Sequence, residues 1–499
     1  MISQSRFYIC TVLLAALIFT LTAYYSSGYY QADEHYQIIE FASAKLGNIP
    51  MEALPWEYEA HIRPTLQPSI AVVVLGGLEK ISVTDPYLQA FMLRLLAAFL
   101  ALTCIHFFIK QTEQYFKDDS LKKAYYLLSY FLWFIPLLSV RFSSETLSGL
   151  MFLTALSFCF RHGKRTPLYI GLFLGLSFLF RFQMAIPAFG LFGWLLVIRK
   201  EKPGFFLQAF GAFLAILLIG AGIDCWFYQD VVFTPWNYFY VTILDHAAPA
   251  FGVSPWHYYF TQFLSYPSYF LGIPLVISFL IIVLKYPRLP YIWVMIPFIL
   301  IHSLIPHKEQ RFMFPLVFFF AFIMLYAYQY LNERIRPFTL RRGLAIILAV
   351  IFIIVNSIGL LAMAQKSAGL TRIGTSHFIH THYANKPLHI IHPPYANPYR
   401  PWGDHIPTTF YAEKDIIHTE ISSLCELDPS VFKEGRTNLV VVKGNSFYNK
   451  ECTQYFKQFE MPLLFSSLPD WIKTLNEYYR GYGNEHILYV YQYDKNAIE

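Results

Sequence analysis

Two adjacent carboxylates, Asp33 and Glu34, follow the first long apolar run of the sequence, which extends from about Phe7 to Tyr25. The edge of a membrane reduces the hydration of a carboxylate and so raises its pKa, which suits a general base. In isolation, an Asp-Glu pair in a loop is more often simply solvated. The pair becomes a candidate for chemistry because other unusual polar motifs fall on the same predicted side of the membrane.

Three side chains that can carry positive charge, His307, Lys308 and Arg311, lie in a short segment between two later apolar runs. The predicted topology places this segment on the outer side, where positive charge is normally scarce. A phosphate at the level of the lipid headgroups would account for it, because Arg and Lys stabilise the charge on a departing phosphate. The alternative is a short solvated turn.

Arg141, Glu145 and Arg181 stand at the membrane-embedded ends of apolar runs. Charges at such positions are costly and are usually paired or functional. Because Arg141 and Glu145 are four residues apart, one helical turn would bring them together as an ion pair. Arg181 has two interpretations that the sequence leaves open, a functional role and snorkelling of its side chain to the interface.

The polar segment 224–262 is dense in Trp, Tyr and Pro. Exposed aromatic rings beside polar groups can hold a sugar ring, but an interfacial aromatic belt has the same composition. The segment alone does not decide between them. Its candidate substrate-binding residues are Asp224, Trp236, Asn237, Trp256 and His257.

The elements that must position these residues are membrane helices. Charged residues make up 14% of the 499 residues and hydrophobic residues 56%, whereas a soluble globular chain carries about 25% charged residues. The basic residues occur in short clusters between apolar runs rather than as one continuous patch, which argues against nucleic-acid binding. About eleven runs approach the length of a membrane span; after the first, they lie near 88–110, 122–140, 145–160, 167–181, 184–198, 204–223, 263–284, 290–305, 312–330 and 343–364.

The Lys and Arg clusters near 161–165, 199–202 and 334–342 fall on one side if these runs alternate. That side is predicted to be the cytoplasm. The N-terminus is then inside and the C-terminus outside, and the polar segments 26–68 and 224–262 share the outer surface. A shorter apolar piece, Ser69 to Leu78, predicts a re-entrant or interfacial helix.

The tail, 366–499, has a different composition and predicts a small α/β soluble domain on the outer side, following a membrane domain over 1–365. Short β-like runs cover Leu388 to His392, Asn438 to Val442 and His486 to Tyr493, and Pro469 to Tyr479 predicts a helix. Cys425 and Cys452 either pair in an oxidising compartment or remain two thiols, and the sequence leaves both open.

Taken together, these segments resemble family 22 glycosyltransferases, the membrane α-mannosyltransferases that use dolichyl-phosphate mannose. Within the family the likeness is greatest to the branch that adds an α-1,2-linked mannose to the glycosylphosphatidylinositol (GPI) core. Three positions depart from the family pattern, namely Ala32, Pro64 and Phe251. The resemblance is carried by Asp33-Glu34, Trp56-Glu57-Tyr58, Arg63, Ile223 through Tyr228, Thr234 through Tyr238, Phe251 through Tyr259, and the element His307 through Phe312.

The resemblance implies an all-α polytopic fold of the GT-C type with an outward-facing catalytic cleft. It implies inverting transfer of mannose from a polyprenyl-phosphate donor to a lipid-linked glycan, with Asp33 or Glu34 as the base. Donor phosphate binding would fall to Arg63, His307, Lys308 and Arg311. The sugar and acceptor would contact the remaining candidates, which are Trp56, Glu57, Arg141, Glu145, Arg181, Asp224, Trp236, Asn237, Trp256 and His257.

A monophosphate-lipid donor carries less charge than a nucleotide sugar, and no Asp-x-Asp triplet occurs in the outer loops, so no metal is expected. No other cofactor is expected either. The expected partners are the donor, the acceptor glycolipid and the bilayer. The protein is expected in either the endoplasmic reticulum membrane or a bacterial inner membrane, because proteins of both membranes have an excess of Lys and Arg in their cytoplasmic loops. Rival interpretations are a transporter or flippase of lipid-linked glycans, a non-catalytic scaffold, and a transferase for another polyprenyl-phosphate sugar. Transport would favour mid-membrane charges and two related halves, whereas the charges lie at one face and no internal repeat is apparent.

Overall fold

The computed structural model of the protein describes residues 4–245, 252–334, 339–365, 367–369, 371–400, 408–412, 415–479, 483 and 486–493. The chain is mostly helical and ends in a small sheet. Contacts divide it into two compact units. The helical unit comprises Met1–Tyr25, Glu57–Ile70 and Met92–Gln365, and the mixed unit comprises Ser26–Trp56, Ala71–Phe91 and Lys366–Glu499.

Most of the helices precede residue 366. In chain order they are α1 (Gln4–Tyr25), α2 (Asp33–His35), α3 (Phe41–Lys45), α4 (Trp56–Glu59), α5 (Leu66–Lys80), α6 (Pro86–Thr112), α7 (Asp119–Phe131), α8 (Phe134–Ser139), α9 (Ser144–Phe158), α10 (Thr166–Phe180), α11 (Ala185–Val197), α12 (Pro203–Tyr228), α13 (Thr234–Phe239), α14 (Tyr258–Ser265), α15 (Tyr269–Lys285), α16 (Pro290–Leu304), α17 (Phe320–Arg334) and α18 (Thr339–Gln365).

Shorter helical turns join these helices. Two of the turns in the described part of the chain are π-helical, Tyr36–Glu40 and Tyr240–Leu244. The longest 3₁₀ helix, Gln310–Phe319, leads directly into α17.

Among the described residues, five helices are long and apolar enough to cross a bilayer, and the pair α15 and α16, which meet at a bend of 119°, gives a sixth candidate. The predicted count of eleven spans is therefore not confirmed. Every predicted run is helical, but several form helices too short for the roughly 20 residues that a span needs; α9 and α10 each have 15 residues. The five candidates are Ser5–Tyr25, Pro86–Tyr115, Pro203–Tyr228, Gln310–Arg334 and Ile346–Gln365.

Glycines allow close helix packing in the helical unit. Gly171 and Gly175 lie one turn apart on α10 and face α12. A Cβ atom on Gly171 would collide with the Ala209 carbonyl oxygen, and one on Gly175 would stand 2.8 Å from Ile216 Cβ. This small-residue spacing is typical of helix pairs in membranes, where close backbone approach replaces the hydrophobic effect.

The mixed unit is built on a five-stranded sheet of order β2-β1-β3-β5-β4. Strands β1 and β2, and β1 and β3, are parallel, whereas β5 runs antiparallel to β3 and β4. The strands are β1 (Leu388–His392), β2 (Ile416–Glu420), β3 (Thr437–Lys443), β4 (Leu463–Ser466) and β5 (Leu488–Tyr493), and the helices are α19 (Arg372–Tyr383), α20 (Lys450–Lys457) and α21 (Asp470–Tyr479).

Both faces of this sheet are buried, because successive side chains of β3 alternate between two apolar clusters. Leu439 and Val441 pack with Ile379 of α19. Val440 and Val442 pack on the other face with Phe456 of α20. The small sheet predicted for the tail is thus confirmed, with β1, β3, β5 and α21 at the expected places.

The mixed unit is larger than the tail predicted over 366–499, because polar contacts join earlier segments to it. The Tyr87 hydroxyl donates to Ser376 Oγ at 2.9 Å, and the backbone N–H of Phe410 donates to the Glu40 carboxylate at 3.0 Å. Cys425 and Cys452 form a disulfide, which resolves the alternative that the sequence left open.

Candidate active site

The predicted functional residues are distributed over both units. Asp33, Glu34 and Trp56 belong to the mixed unit, and the other candidates belong to the helical unit.

Five side chains form a charged cluster in the helical unit: Glu145, Arg181, His307, Glu309 and Arg311. Arg181 donates to Glu145 Oε1 at 2.7 Å, and an Arg311 nitrogen lies 3.6 Å from the same oxygen. The side chains of Arg181 and Glu145 are only 8% and 5% exposed. A buried charge without a partner would be very costly, so these ion pairs explain how both arginines are accommodated.

Glu309 contacts His307 and Arg311, the basic residues two positions before and after it. Its carboxylate accepts from Arg311 Nε at 2.7 Å and from a second guanidinium nitrogen at 2.8 Å. His307 Nε2 lies 3.0 Å from Glu309 Oε1, and His307 Nδ1 lies 3.2 Å from the Gly252 carbonyl oxygen. Both of these oxygens are acceptors without hydrogen, so each contact needs a hydrogen atom on the imidazole nitrogen that makes it.

Lys308 has a different environment from its two basic neighbours. Its ammonium donates to the carbonyl oxygens of Ser254 at 2.8 Å, Ile305 at 2.6 Å and Pro306 at 3.4 Å. An ammonium has three donors, so phosphate binding by Lys308 would require it to give up one of these carbonyls. The three bonds join the segment around 254 to the segment 305–306.

The charged cluster depends on close packing of α9, α10 and the 3₁₀ helix. A Cβ atom on Gly149 of α9 would stand 2.8 Å from Pro315 Cα, so only glycine allows this approach. Gly149 lies one turn after Glu145, and Pro315 follows Arg311 by four residues. The Ser177 hydroxyl donates to the Ser148 carbonyl oxygen at 2.8 Å and so joins α10 to α9 one turn before Arg181.

The helical turn expected to connect Arg141 with Glu145 is not formed. Helix α9 begins only at Ser144, and Ser143 is its N-cap, whose hydroxyl accepts from the backbone N–H of Thr146. Ser143 itself is extended, with φ −121° and ψ 157°, because a capping residue has non-helical backbone angles. Arg141 is nevertheless buried, with 4% exposure.

Asp224, at the end of α12, is bound by neutral donors. Its Oδ1 accepts from the Thr65 backbone N–H at 2.8 Å and from the Thr65 hydroxyl at 2.6 Å, and its Oδ2 accepts from the Thr234 hydroxyl. Thr65 is 159 residues distant in sequence. We call Asp224, Thr65 and Thr234 the threonine bracket; it fixes the segment around Thr65 to the ends of α12 and α13.

Arg63 lies beside the threonine bracket. Its carbonyl oxygen accepts from the Tyr228 hydroxyl at 2.8 Å, and its guanidinium lies 3.5 Å from the Glu57 carboxylate and 5.9 Å from the centre of the Tyr238 ring. Asn237 donates to the His61 carbonyl oxygen at 3.3 Å. The predicted residues Glu57, Arg63 and Asn237 therefore belong to one neighbourhood.

The predicted sugar-binding tryptophans are largely exposed. Trp236 and Trp256 expose 54% and 67% of their surface, and Trp56, in the mixed unit, exposes 44%. His257 adjoins Trp256, with ring centres 5.7 Å apart. Exposure is compatible with both a sugar platform and an interfacial belt. Phe251 lies outside the described residues.

In the mixed unit, Asp33 and Glu34 begin the short helix α2. The Glu34 carboxylate accepts from the backbone N–H groups of Tyr30 and Gln31, and Glu34 is 6% exposed. Asp33 is half-buried. Glu34 therefore orders the turn that carries Asp33.

Sequence reasoning assigned no role to Glu309, Thr65, Thr234, His35 or Glu40. Glu309 was detectable, because a single carboxylate between two cations at spacings of two residues is suited to bind both. The threonine partners of Asp224 had no local signal. Within the described ranges, no three His, Cys, Asp or Glu side chains come together in a way that could hold a metal ion, and the expected lack of a metal requirement stays a prediction.

An apolar groove adjoins the 3₁₀ helix in the helical unit. Gln310, next to Arg311, contributes to its lining, and so does Phe314 one turn further on. Aromatic side chains of α14 and the segment after it provide much of the remaining wall: Tyr259, Phe263 and Tyr266. The groove is nearly free of charge and could take a hydrocarbon chain.

Comparisons with known proteins agree with this architecture. The model of the Alg9-like mannosyltransferase family matches residues 11–402. The fold is similar to ArnT from Cupriavidus metallidurans bound to undecaprenyl phosphate, with a TM-score of 0.57, 13% identity and 97% of each chain covered. The apo state of that protein gives a TM-score of 0.53 at 12% identity, again with 97% of each chain covered. At these identities the likeness establishes a shared GT-C fold, and no curated protein matches the sequence significantly.

Proposed function

The chain belongs to the Alg9-like mannosyltransferase family, and from this premise we propose that it transfers mannose from a polyprenyl-phosphate donor to a hydroxyl of a lipid-linked glycan. The protein is an integral membrane glycosyltransferase of the GT-C type. The proposed acceptor is a GPI-type core, and the proposed linkage is α-1,2, both on the motif resemblance alone.

The charged cluster carries this proposal. A sugar phosphodiester has one negative charge, and the polyprenyl phosphate that leaves gains a second as the sugar departs. Arg311 and His307 share Glu309 as their acceptor, and a donor phosphate can replace that carboxylate on the same hydrogen atoms. Cations that bind the phosphate more strongly as it gains charge stabilise the transition state over the ground state.

The proposed reaction is a single displacement at the anomeric carbon. Asp33 takes the proton of the acceptor hydroxyl, the new bond to the anomeric carbon forms, and the bond from that carbon to the phosphate oxygen breaks. The configuration inverts, and the electron pair leaves with the polyprenyl phosphate. We assign the base to Asp33 because Glu34 accepts from two backbone N–H groups that order the turn.

The apolar groove supports a lipid-borne donor, because it runs along the 3₁₀ helix next to Arg311. We propose that the first isoprene units of the donor lie there. The structure of ArnT in complex with undecaprenyl phosphate supports the polyprenyl phosphate class, since a fold of this type accommodates such a lipid.

The remaining candidates are assigned supporting roles. We propose that Arg63 approaches the donor phosphate, with Glu57 as its counter-ion, and that the threonine bracket and Asn237 fix its segment. Glu145 balances the positive charges of Arg181 and Arg311 in the cluster, and Arg141 is proposed to contact the substrate. We assign contacts with the sugar and the acceptor to Trp236, Trp256 and His257 in the helical unit and to Trp56 in the mixed unit.

The disulfide between Cys425 and Cys452 supports a non-cytoplasmic tail, because disulfides persist in oxidising compartments. The endoplasmic reticulum lumen and the bacterial periplasm both meet this condition. The reaction is accordingly proposed to take place on the outer side of the membrane.

The test is transfer of radiolabelled mannose from dolichyl-phosphate mannose or its undecaprenyl counterpart over a panel of lipid-linked acceptors. Membranes containing the wild type are compared with membranes containing Asp33→Asn at equal abundance. If labelled product forms only with the wild-type protein and is absent with Asp33→Asn, the result supports both the transferase activity and the role of Asp33 as the base. A lack of transfer from every mannose donor, together with transfer from another polyprenyl-phosphate sugar, would reject mannose as the substrate.

A further inference from the structure

His35, the residue after Glu34, is enclosed in the mixed unit. Its imidazole lies between the rings of Tyr29 and Tyr411, with centre distances of 5.2 and 5.3 Å and interplanar angles of 28° and 11°. The side chain is 1% exposed. Burial raises the pKa of Tyr29 to about 12, so the surroundings of this ring are strongly desolvated and the phenol is neutral at physiological pH.

One nitrogen of this buried ring has a charged partner. His35 Nε2 lies 2.8 Å from Glu40 Oε1, and the Glu40 side chain is 2% exposed. The other nitrogen, Nδ1, has no hydrogen-bond partner among the described residues. A phenylalanine would fill the same stacked position without burying an unsatisfied nitrogen, so the specific contribution of histidine is its bond to Glu40.

The backbone between His35 and Glu40 forms a turn that brings these two residues together. His35 and Glu40 are five residues apart, and the residues Tyr36–Glu40 form a π-helical turn. In an α-helix the neighbours on one face are three and four residues apart, whereas a π-helical turn brings residues five apart onto one face. Such turns are rare and occur frequently at functional sites.

A segment far along the chain completes the arrangement. The backbone N–H of Phe410 donates to both Glu40 oxygens, at 3.0 and 3.3 Å, and the next residue, Tyr411, supplies one of the two rings on His35. The carboxylate therefore has one donor from its own helix and one from the segment 408–412.

We propose that the His35–Glu40 pair, completed by Phe410 and Tyr411, is a positioning device that holds α2 in the orientation in which Asp33 can accept the proton. Glu34 fixes the start of this short helix, and His35 fixes its end. The inference depends on the proposed function, because it assumes that Asp33 is the base. The pair acts through Asp33 and does not itself contact the substrates.

The test uses the full-length protein with the productive donor and acceptor, and it measures kcat, the KM for the donor and the midpoint of thermal unfolding. Two variants of His35 form a matched pair. His35→Phe keeps a ring between the tyrosines and loses the bond to Glu40, whereas His35→Gln keeps a donor at the place of Nε2 and loses the ring. Glu40→Gln removes the charge without changing the size of the side chain.

We expect His35→Phe and Glu40→Gln to lower kcat by about 10- to 100-fold with the donor KM within about twofold, because small displacements of a catalytic group are costly. His35→Gln should retain at least about a third of the wild-type kcat. The unfolding midpoint of His35→Phe should remain close to that of the wild type.

A kcat per folded molecule that equals the wild type in both His35→Phe and Glu40→Gln would overturn the inference, and so would a change confined to the donor KM. If Glu40→Gln does not fold, His35→Phe still decides the matter. A wild type that transfers mannose while these variants match it removes only the positioning role. A wild type without any transfer removes the proposed function, and the inference with it.

Discussion

The carboxylates of the charged cluster and the carboxylate of the threonine bracket, both in the helical unit, have different kinds of hydrogen-bond and ion-pair partners. In the charged cluster, Glu145 and Glu309 bind arginine side chains, so anion and cation neutralise each other. In the threonine bracket, Asp224 accepts from one backbone N–H and two hydroxyl groups, all of them neutral.

This difference distinguishes side chains that can bind the donor, in the charged cluster, from side chains that hold the fold together, in the threonine bracket. An arginine that is bound to a carboxylate can exchange it for a phosphate, because both ligands offer oxygens in a similar geometry. The hydroxyl and amide donors around Asp224 would gain nothing from such an exchange, since Asp224 would then be buried without partners. We therefore expect variants of the charged cluster to change catalysis, and variants of the bracket to change stability.

The largest effect is expected for Arg311→Ala, which removes two donors from the proposed phosphate site. Transfer should fall by about 10²- to 10³-fold, the usual loss for one group that stabilises developing negative charge. Arg311→Lys should recover only part of the rate, because an ammonium cannot bind in the bidentate manner of a guanidinium. Initial rates at saturating acceptor measure both. An Arg311→Ala variant that keeps more than half of the wild-type rate would contradict the proposal that the charged cluster acts in catalysis and the threonine bracket only in stability.

The next largest effect is expected for Gly149→Ala, which alters no charged residue. The added methyl group meets Pro315 at 2.8 Å and pushes α9 away from the 3₁₀ helix that carries Arg311. A displacement of this kind should lower kcat by about 10- to 100-fold. Gly211→Ala is the matched control, because a Cβ atom there has no neighbour within 4 Å. Equal rates for the two variants would show that the cluster tolerates a change in helix spacing.

Asp224→Ala should mainly destabilise the protein. It leaves the Thr65 N–H and two hydroxyls without their acceptor, at a cost of about 1–3 kcal/mol for each buried group. The midpoint of thermal unfolding should fall, and kcat per folded molecule should change by less than about fivefold. Asp224→Asn should recover most of the stability, because an amide oxygen can still accept from Thr65. If Asp224→Asn loses transfer while it folds normally, the charge of Asp224 acts in catalysis.

The smallest effect on donor affinity is expected for Lys308→Met, although Lys308 lies between His307 and Glu309. Its ammonium bonds to three carbonyl oxygens, so its removal should lower abundance and thermal stability. The KM for the donor should change by less than about threefold, in contrast to the effect of losing a charge-assisted contact. A rise in KM as large as that of Arg311→Ala would place Lys308 among the phosphate ligands.

The comparison also separates what the sequence predicts from what only packing reveals. Strands β1, β3 and β5 are local patterns and lie where the sequence predicted them, whereas β2 and β4 were not predicted. The placement of the 307–312 element on the outer side stays a prediction. The partners of Asp224 could not be predicted, because Thr65 lies 159 residues away and carries no local signal. The pairing of His35 with Glu40 needed a π-helical turn, which ordinary helical spacing does not suggest.

Helix lengths were the least predictable feature. Each predicted apolar run is helical, but hydropathy did not reveal that α9 begins at Ser144, after its cap at Ser143. For the same reason, the helical turn assumed between Arg141 and Glu145 does not exist. Counting spans from apolar runs assumes that every run crosses the membrane completely. Helices of only 13 to 15 residues are too short for this, and only their packing against neighbouring helices determines how they lie.

The most direct test of the central claim is binding of radiolabelled dolichyl-phosphate mannose to the purified protein in the absence of acceptor. Wild type, Arg311→Gln and Asp224→Asn are compared at equal folded concentration. The account predicts that Arg311→Gln weakens binding by at least about 10-fold, the loss of a charge-assisted hydrogen bond, while Asp224→Asn stays within about twofold of the wild type. Binding of the donor that is unchanged in Arg311→Gln, or weakened as much in Asp224→Asn, would contradict the assignment of the charged cluster as the phosphate site.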